Sequence, residues 1–381
     1  MRRLRRAEIS ILLIALLLTV PVGAAEAAPA VSAESAILVE AASGCVLFEK
    51  DAEKPMKAAS TVKIMTALLA MERLNPHETV TVRPEWVGAE GSSMYLRSGQ
   101  EVSVRELLTG LLLCSGNDAA LALACHAAGS EEAFVRQMNE KAAALGMQST
   151  VFADASGLKA EGHSITARDL ATLTAEAMKQ PLFRELAAMK TGEAGGQPVR
   201  NHNKLLWMDE RVCGVKTGYT RAAGRTLVSA AESNGMTLIC VTLNAPDDWQ
   251  DHLRLIGWGF TCFCRPEAGE QRYSVPVISG EAETATAIPD EVPSLLMKAD
   301  EALRWEPELP KFVYAPIRAG DEAGCLNGYL PDGTKAVSVP LRWESSVPLA
   351  EGEALDFWEK LKWSWFYACK HSPAPLQNAF Y

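Results

Sequence analysis

Two short apolar runs stand on either side of Ser43-Gly44 within residues 36 to 48, a pattern that predicts a β-hairpin. The periodicity then changes. Val62, Met65, Leu68, Leu69 and Leu74 recur at helical spacing, so residues 60 to 74 are expected to form a buried helix with Ser60 as N-cap and Asn75-Pro76 as stop. Ser103 and Glu106 have capping-box spacing ahead of a Leu-rich helix, and Asp118 is the expected cap of an Ala-rich helix ending at Gly129. Ser130 opens a helix reaching about Gly146, and the pair Thr166 and Asp169 opens one reaching about Met178. Residues 58 to 180 are therefore predicted to be mostly helical.

From Val212 the period becomes that of strands: VCGVKTG, RTLVSAA and MTLICVTL, the last two joined at Asn234-Gly235, a preferred two-residue hairpin turn. Strands at both ends of a helical block imply one antiparallel sheet closed by its terminal segments, an α+β arrangement within the broad α/β class. Near Arg265-Pro266 the composition shifts to a β-leaning stretch with turn residues that ends near Leu349. The expected organisation is a catalytic-sized domain over 28–265, a small β-rich domain over 266–349 and a tail over 350–381.

The two ends change the picture. MRRLRR, an apolar run from Ile9 to Val20 and the small residues of Ala25-Glu26-Ala27 read as a secretory signal peptide over 1–27. That apolar run falls short of the ~20 residues that span a bilayer, which disfavours a retained anchor. At the other end, residues 355 to 370 place Leu355, Phe357, Trp358, Leu361, Trp365 and Cys369 on one helical face, opposite Asp356, Glu359, Lys360, Ser364 and Lys370. A Trp-rich amphipathic helix of that length suits a membrane interface, with docking on its own domain as the alternative. An exported protein held at the outer face of the cytoplasmic membrane is the resulting expectation.

At 381 residues, 48% hydrophobic and 22% charged, the chain can bury about two cores, which excludes disordered and multipass membrane classes. The formal charge is -10, and signal cleavage would leave 33 basic against 45 acidic residues. Such a balance does not attract nucleic acid. Nine cysteines, at 45, 114, 125, 213, 240, 262, 264, 325 and 369, are an odd number scattered through apolar segments, and most are expected to be buried small hydrophobes. Cys262 and Cys264 are too close for a usual zinc pair, and the six His lie far apart without an HExxH run. No metal or cofactor is expected.

Chemistry enters with Ser60 and Lys63. At i and i+3 a hydroxyl and an amine share a helix face, and an amine inside an apolar run is desolvated toward a usable base. A chain this long holds on the order of one Ser-x-x-Lys by chance, so the pair alone is weak. Ser115-Gly116-Asn117 then supplies a hydroxyl and an amide between two apolar helices, and Lys216-Thr217-Gly218 supplies a cation and a hydroxyl on a predicted strand. In this order the three are far more specific than any one.

The three motifs resemble those of the penicillin-recognising serine enzymes. GLKAEGHSITARDLA (157 to 171), NHNKLLW (201 to 207) and VCGVKTGYTRAAGRTLVSAA (212 to 231) are similar to the low-molecular-mass D-alanyl-D-alanine carboxypeptidases, over about residues 35 to 265. DDWQDH (247 to 252) is similar to the sporulation-associated members, where many vegetative relatives carry an Arg. The resemblance implies the serine β-lactamase/DD-peptidase fold and peptidoglycan stem peptides ending in D-Ala-D-Ala as substrate, with β-lactams as covalent inhibitors. It implies Ser60 as nucleophile, Lys63 as base and Ser115 as proton relay, with Lys216 assisting that relay. Asn117 would hold the peptide amide and Thr217 the terminal carboxylate. Gly218 and Tyr219 would belong to the binding strand, the Tyr219 and Ser60 N–H groups forming the oxyanion hole. His163 and Asp169 match the family's neighbouring loop and helix and are expected to be structural, Asp169 as a capping-box member.

Three rival readings differ in testable ways. A class A β-lactamase uses Ser-Asp-Asn and a loop Glu, whereas this chain has Gly116 and a loop, DASGLKAEGH, whose Glu161 lacks the Asn-bearing pattern. A non-catalytic penicillin-binding wall protein would have no need of all three motifs intact. A zinc-dependent peptidase would lose activity to a chelator and keep it without Ser60.

Overall fold

The computed structural model describes residues 27–159, 161–266, 271–290 and 295–351. The signal segment, apart from residue 27, and the Trp-rich tail lie outside the described residues. The chain divides into two compact units between Cys264 and Arg265.

In the first unit, β1 (Ser35–Glu40) and β2 (Val46–Lys50) form the expected hairpin. β3 (Thr79–Thr81) pairs with β4 (Glu101–Ser103), and β5 (Thr191–Ala194) with β6 (Gln197–Arg200). After them come β7 (Val212–Thr220), β8 (Gly224–Ser233) and β9 (Met236–Leu243). They complete an antiparallel sheet in the order β2-β1-β9-β8-β7, so the first and last segments of the unit meet as β1 and β9. Asn234 and Gly235 both have positive φ, the conformation a two-residue hairpin needs.

Strand alternation decides which face each residue serves. Val228, paired with Val241, and Ala230, paired with Ile239, enter the core beneath the helical block. Leu227, Ala231, Leu238 and Cys240 face the opposite core with Leu255 and Ile256.

The helices between β2 and β7 are α1 (Lys63–Arg73), α2 (Val104–Leu113), α3 (Asn117–Ala128), α4 (Glu131–Ala144), α5 (Ala167–Ala177), α6 (Pro181–Ala188) and α7 (Leu205–Met208). α1 is buried from Lys63 to Ala70 and packs against α2, α3 and α5. α8 (Asp248–Cys262) covers the far face of the sheet.

The second unit has its own six-stranded sheet, from Arg304–Glu308 at one edge to Val313–Tyr314 at the other. Val275, Ala287, Leu326, Val339 and Leu341 form its core.

Several local expectations need correction. Ser60 is not an N-cap: it lies in a 3-10 turn, Ala59–Val62, that leads into α1, and no side chain caps α1. Asp118 does not cap α3 either. It accepts from Ser93 Oγ (2.6 Å), Met94 N (3.0 Å) and Leu96 N (3.0 Å), so a carboxylate read as local holds a distant loop. Thr166 caps α5 as expected, but Asp169 accepts from Thr150 Oγ1 at 2.7 Å in place of closing a capping box. Of the cysteines, Cys240 is buried, Cys45 is exposed and Cys114, Cys125, Cys213 and Cys325 are half-buried thiols, so burial is less general than the apolar context predicts.

Candidate active site

Ser60 sits where the 3-10 turn, β7 and the loop before α3 converge. Lys63, one turn on, is fully buried, and its Nζ lies 3.1 Å from Ser60 Oγ, 2.6 Å from Asn117 Oδ1 and 2.7 Å from the Ser156 carbonyl. Burial is the main cause that holds its pKa well below that of an ordinary lysine, and the neighbouring Lys216 adds to it. A neutral amine keeps two N–H donors and one lone pair. With Asn117 Oδ1 and Ser156 O taking the two donors, the lone pair is left for the Ser60 hydroxyl proton.

The Ser156 carbonyl is placed by a residue that sequence reasoning missed. Asp154 accepts from Ser156 N (2.8 Å), Gly157 N (2.5 Å) and Lys159 N (2.6 Å), and His163 Nε2 lies 3.3 Å away. Burial would raise the Asp154 carboxyl, but the His163 contact and the Lys159 and Gly157 amides outweigh it and hold the group far below the usual range. Gly157 is required by close approach: a Cβ there would lie 1.9 Å from the Ala59 carbonyl oxygen. An Asp three residues before a Gly was the available signal, since Asx side chains commonly close such turns. His163 fixes this loop, accepting from Ala153 N at 3.3 Å through Nδ1.

Ser115 has φ +61°, unusual for a non-glycine residue, and its buried Oγ makes no hydrogen bond among the described residues. A strained residue with an uncommitted buried hydroxyl beside a cleft fits a proton relay. Asn117, besides receiving Lys63, donates from Nδ2 to Glu90 O at 2.5 Å, which fixes its amide plane. One N–H of that amide is left over by these two bonds.

Lys216 is also fully buried, and burial pulls its pKa down to about 7. Its Nζ donates to Thr217 O at 2.9 Å. Gly218 brings β7 against Ser60: a Cβ there would lie 2.4 Å from Thr226 Oγ1 and 3.0 Å from Ser60 N. Tyr219 follows at the rim, 66% exposed. The strand is braced by NHNKLLW, where Asn203 Nδ2 donates to Gly214 O at 2.9 Å and Asn201 Nδ2 to Met189 O at 2.9 Å.

Ser60, Ser115, Thr217, Gly218 and Tyr219 line one cleft of about 300 Å³. Lys63 meets that lining at Ser60 and Lys216 at Thr217, and Asn117 joins it through Lys63. A larger groove of about 1170 Å³, walled by Arg97, Arg200 and Trp207, adjoins it through His202. Ser60 opens into the smaller cleft. No group of three or more metal-ligating side chains occurs among the described residues.

Comparison with known proteins identifies the family. The D-alanyl-D-alanine carboxypeptidase family model matches residues 22–247. The D-alanyl-D-alanine carboxypeptidase DacC of Escherichia coli is 36% identical over 330 residues, which is 79% of this chain and 80% of that one. DacF of Bacillus subtilis is 31% identical over 317 residues, 77% and 80% of the two chains. Among solved structures, penicillin binding protein 5 of Haemophilus influenzae is similar with a TM-score of 0.64 and 27% identity, over 84% of this chain and 99% of that one. With a desolvated lysine at the hydroxyl of a cleft serine and kinship over most of its length, the chain belongs to the D-alanyl-D-alanine carboxypeptidases and is a serine-type hydrolase.

Proposed function

We propose that the protein removes the terminal D-Ala from peptidoglycan stem peptides ending in D-Ala-D-Ala, through an acyl-enzyme on Ser60. The observation that carries this is Lys63: a buried amine 3.1 Å from Ser60 Oγ, its two neutral-state donors matched by Asn117 and Ser156. Lys63 takes the Ser60 proton as Oγ attacks the penultimate D-Ala carbonyl. The Ser60 and Tyr219 N–H groups receive the oxyanion, and the loss of one such donor typically costs about 10²- to 10³-fold in rate. Through Ser115 the proton taken up by Lys63 is relayed to the leaving D-Ala amine, which returns Lys63 to its neutral form, and Lys216 favours that transfer. Asn117 holds the peptide amide with its remaining N–H, and Thr217 the terminal carboxylate. Water then attacks the ester, Lys63 accepts its proton, and Ser60 Oγ leaves reprotonated.

A β-lactam presents a strained amide in place of the D-Ala-D-Ala bond, so the same residues would hold it as a stable ester. Peptide mapping after penicillin treatment should find the adduct on Ser60 and none in Ser60→Ala. An adduct elsewhere, or one that survives the substitution, overturns the assignment.

We further propose export through residues 1–27 and attachment at the outer face of the cytoplasmic membrane through residues 355–370. The sequence pattern alone supports this. Deletion from Leu355 should move the protein to the soluble fraction with activity intact; retention of the cleaved form in the membrane would refute it.

A further inference from the structure

The larger groove takes no part in the scheme above, although it opens off the same cleft. Its walls are tied together. Asp118 holds the 93–96 loop on one side, and Gln100 Nε2 donates across to Gly195 O, in the turn between β5 and β6, at 3.0 Å. The held loop presents Tyr95 to the groove with φ +61° and 81% exposure. A bulky residue kept at positive φ is strained, and strain held in place by surrounding contacts points to a functional surface.

Charge sets this groove apart from the rest of the molecule. Arg97, Arg200 and Lys204 line it with no Asp or Glu among the lining residues, in a chain whose formal charge is -10. Among the described residues none of the three joins an ion pair. Arg200 lies over the Trp207 ring, 4.8 Å from its centroid, a contact that uses the face of the guanidinium and none of its N–H donors. Unneutralised cations gathered in one concavity favour an anionic ligand.

Position says which part of a substrate reaches it. Cys114, the chain neighbour of Ser115, lines the groove, His202 lines both groove and cleft, and Lys216 is within electrostatic reach of both residues. Tyr219 stands at the other end of the cleft with Arg225, whose Nη2 donates to Asp248 Oδ1 at 2.7 Å. The groove therefore leaves the cleft at the Ser115 and Lys216 end, where the proposed reaction releases its amine. A departing D-Ala needs no more than the 300 Å³ cleft, whereas 1170 Å³ is room for a ligand larger than most drug-sized molecules.

We propose that this groove binds the far arm of a crosslinked substrate, a second and acidic stem peptide whose side-chain amine is acylated by the D-Ala that Ser60 attacks. Arg97 and Arg200 fork onto the carboxylates of that arm, and Trp207 and Tyr95 offer flat apolar faces to its backbone. The bond broken is the amide between the D-Ala carbonyl and that amine. Ser60 Oγ forms the ester, Ser115 passes the proton to the departing amine, and water hydrolyses the ester as before, so no further reactant is needed. The inference rests on the Ser60 acyl-enzyme but not on a free D-Ala as the leaving group.

The test uses three substrates: a crosslinked peptide dimer with a free-acid second stem, the same dimer with that stem amidated, and the pentapeptide monomer. Wild-type protein should cleave the acid dimer with a kcat/KM about 10- to 100-fold above that of the amide dimer. Arg97→Gln combined with Arg200→Gln should remove this difference, while release from the monomer, whose leaving D-Ala stays in the cleft, changes less than about threefold. Two arginines that served only as struts would depress all three substrates together, and that result, or equal cleavage of the two dimers by wild-type protein, would overturn the proposal. The second stem alone should also slow acylation of Ser60 by a fluorescent penicillin, in its acid form only, a readout that needs no peptidase turnover. Such protection, lost in the double variant, supports the groove even if D-Ala release proves absent. An acid stem that protects wild-type protein no better than its amide defeats it.

Discussion

Gly157→Ala tests whether the loop carbonyl at Ser156 aims the Lys63 amine. The new Cβ would sit 1.9 Å from Ala59 O and 2.6 Å from Ala59 C, where ordinary contact begins near 3.4 Å. Either the loop or the turn that carries Ser60 must therefore move by about 1.5 Å, and a misplacement of about 1 Å can cost about 10²-fold in rate. Positive φ adds about 1 to 2 kcal/mol of backbone strain. Gly129→Ala is the matched control: its φ of +83° carries the same strain, but nothing lies within 4 Å of its Cβ. The assay is the second-order rate of Ser60 acylation by a fluorescent penicillin, measured beside thermal unfolding. Gly157→Ala should lose about 10²- to 10³-fold in acylation, whereas Gly129→Ala should lose only stability. Equal acylation by the two variants would refute the claim that the Ser156 carbonyl orients Lys63.

Other consequences follow from the same contacts. Asp154→Asn, which weakens three amide contacts at once, should slow acylation by about 10-fold or more while the variant remains folded; an unchanged rate would free the loop from its proposed role. Gly218→Ala should abolish labelling, because its Cβ meets Thr226 Oγ1 at 2.4 Å beside Ser60 N; normal labelling would show that the strand can withdraw without harm. His252 gives a pH signature. Burial drops its pKa from 6.5 to about 3, so the unfolded state binds the extra proton between these values and stability falls as pH drops below 6.5. The loss from this group amounts to about 3 kcal/mol at pH 4.5. Urea midpoints at pH 7 and 4.5 should therefore converge in His252→Gln relative to wild type, and identical slopes would contradict the assignment.

What the sequence made legible was local. The i, i+3 spacing of Ser60 and Lys63 became a 3.1 Å contact, the Asn-Gly pair became the β8–β9 turn, and Ser103 with Glu106 closed a capping box. Each depends on neighbours within a turn of chain. The rest required tertiary approach. Lys63 meets a carbonyl 93 residues away, Asp118 holds a loop that precedes it by more than 20 residues, and Arg225 finds its brace 23 residues on. Asp118 shows why such cases mislead: at the start of a helix a carboxylate reads as a cap, yet three donors from the 93–96 loop offer it more. Ser60 was misread for a related reason, because a 3-10 turn and a helix share the hydrophobic spacing that marks their common start.

D-Ala release from a pentapeptide ending in D-Ala-D-Ala, run beside Ser60→Ala and with a chelator present, decides whether Ser60 carries the peptidase reaction. Release should resist the chelator and disappear in the variant. Release that persists without the Ser60 hydroxyl, or that the chelator abolishes, would contradict that role.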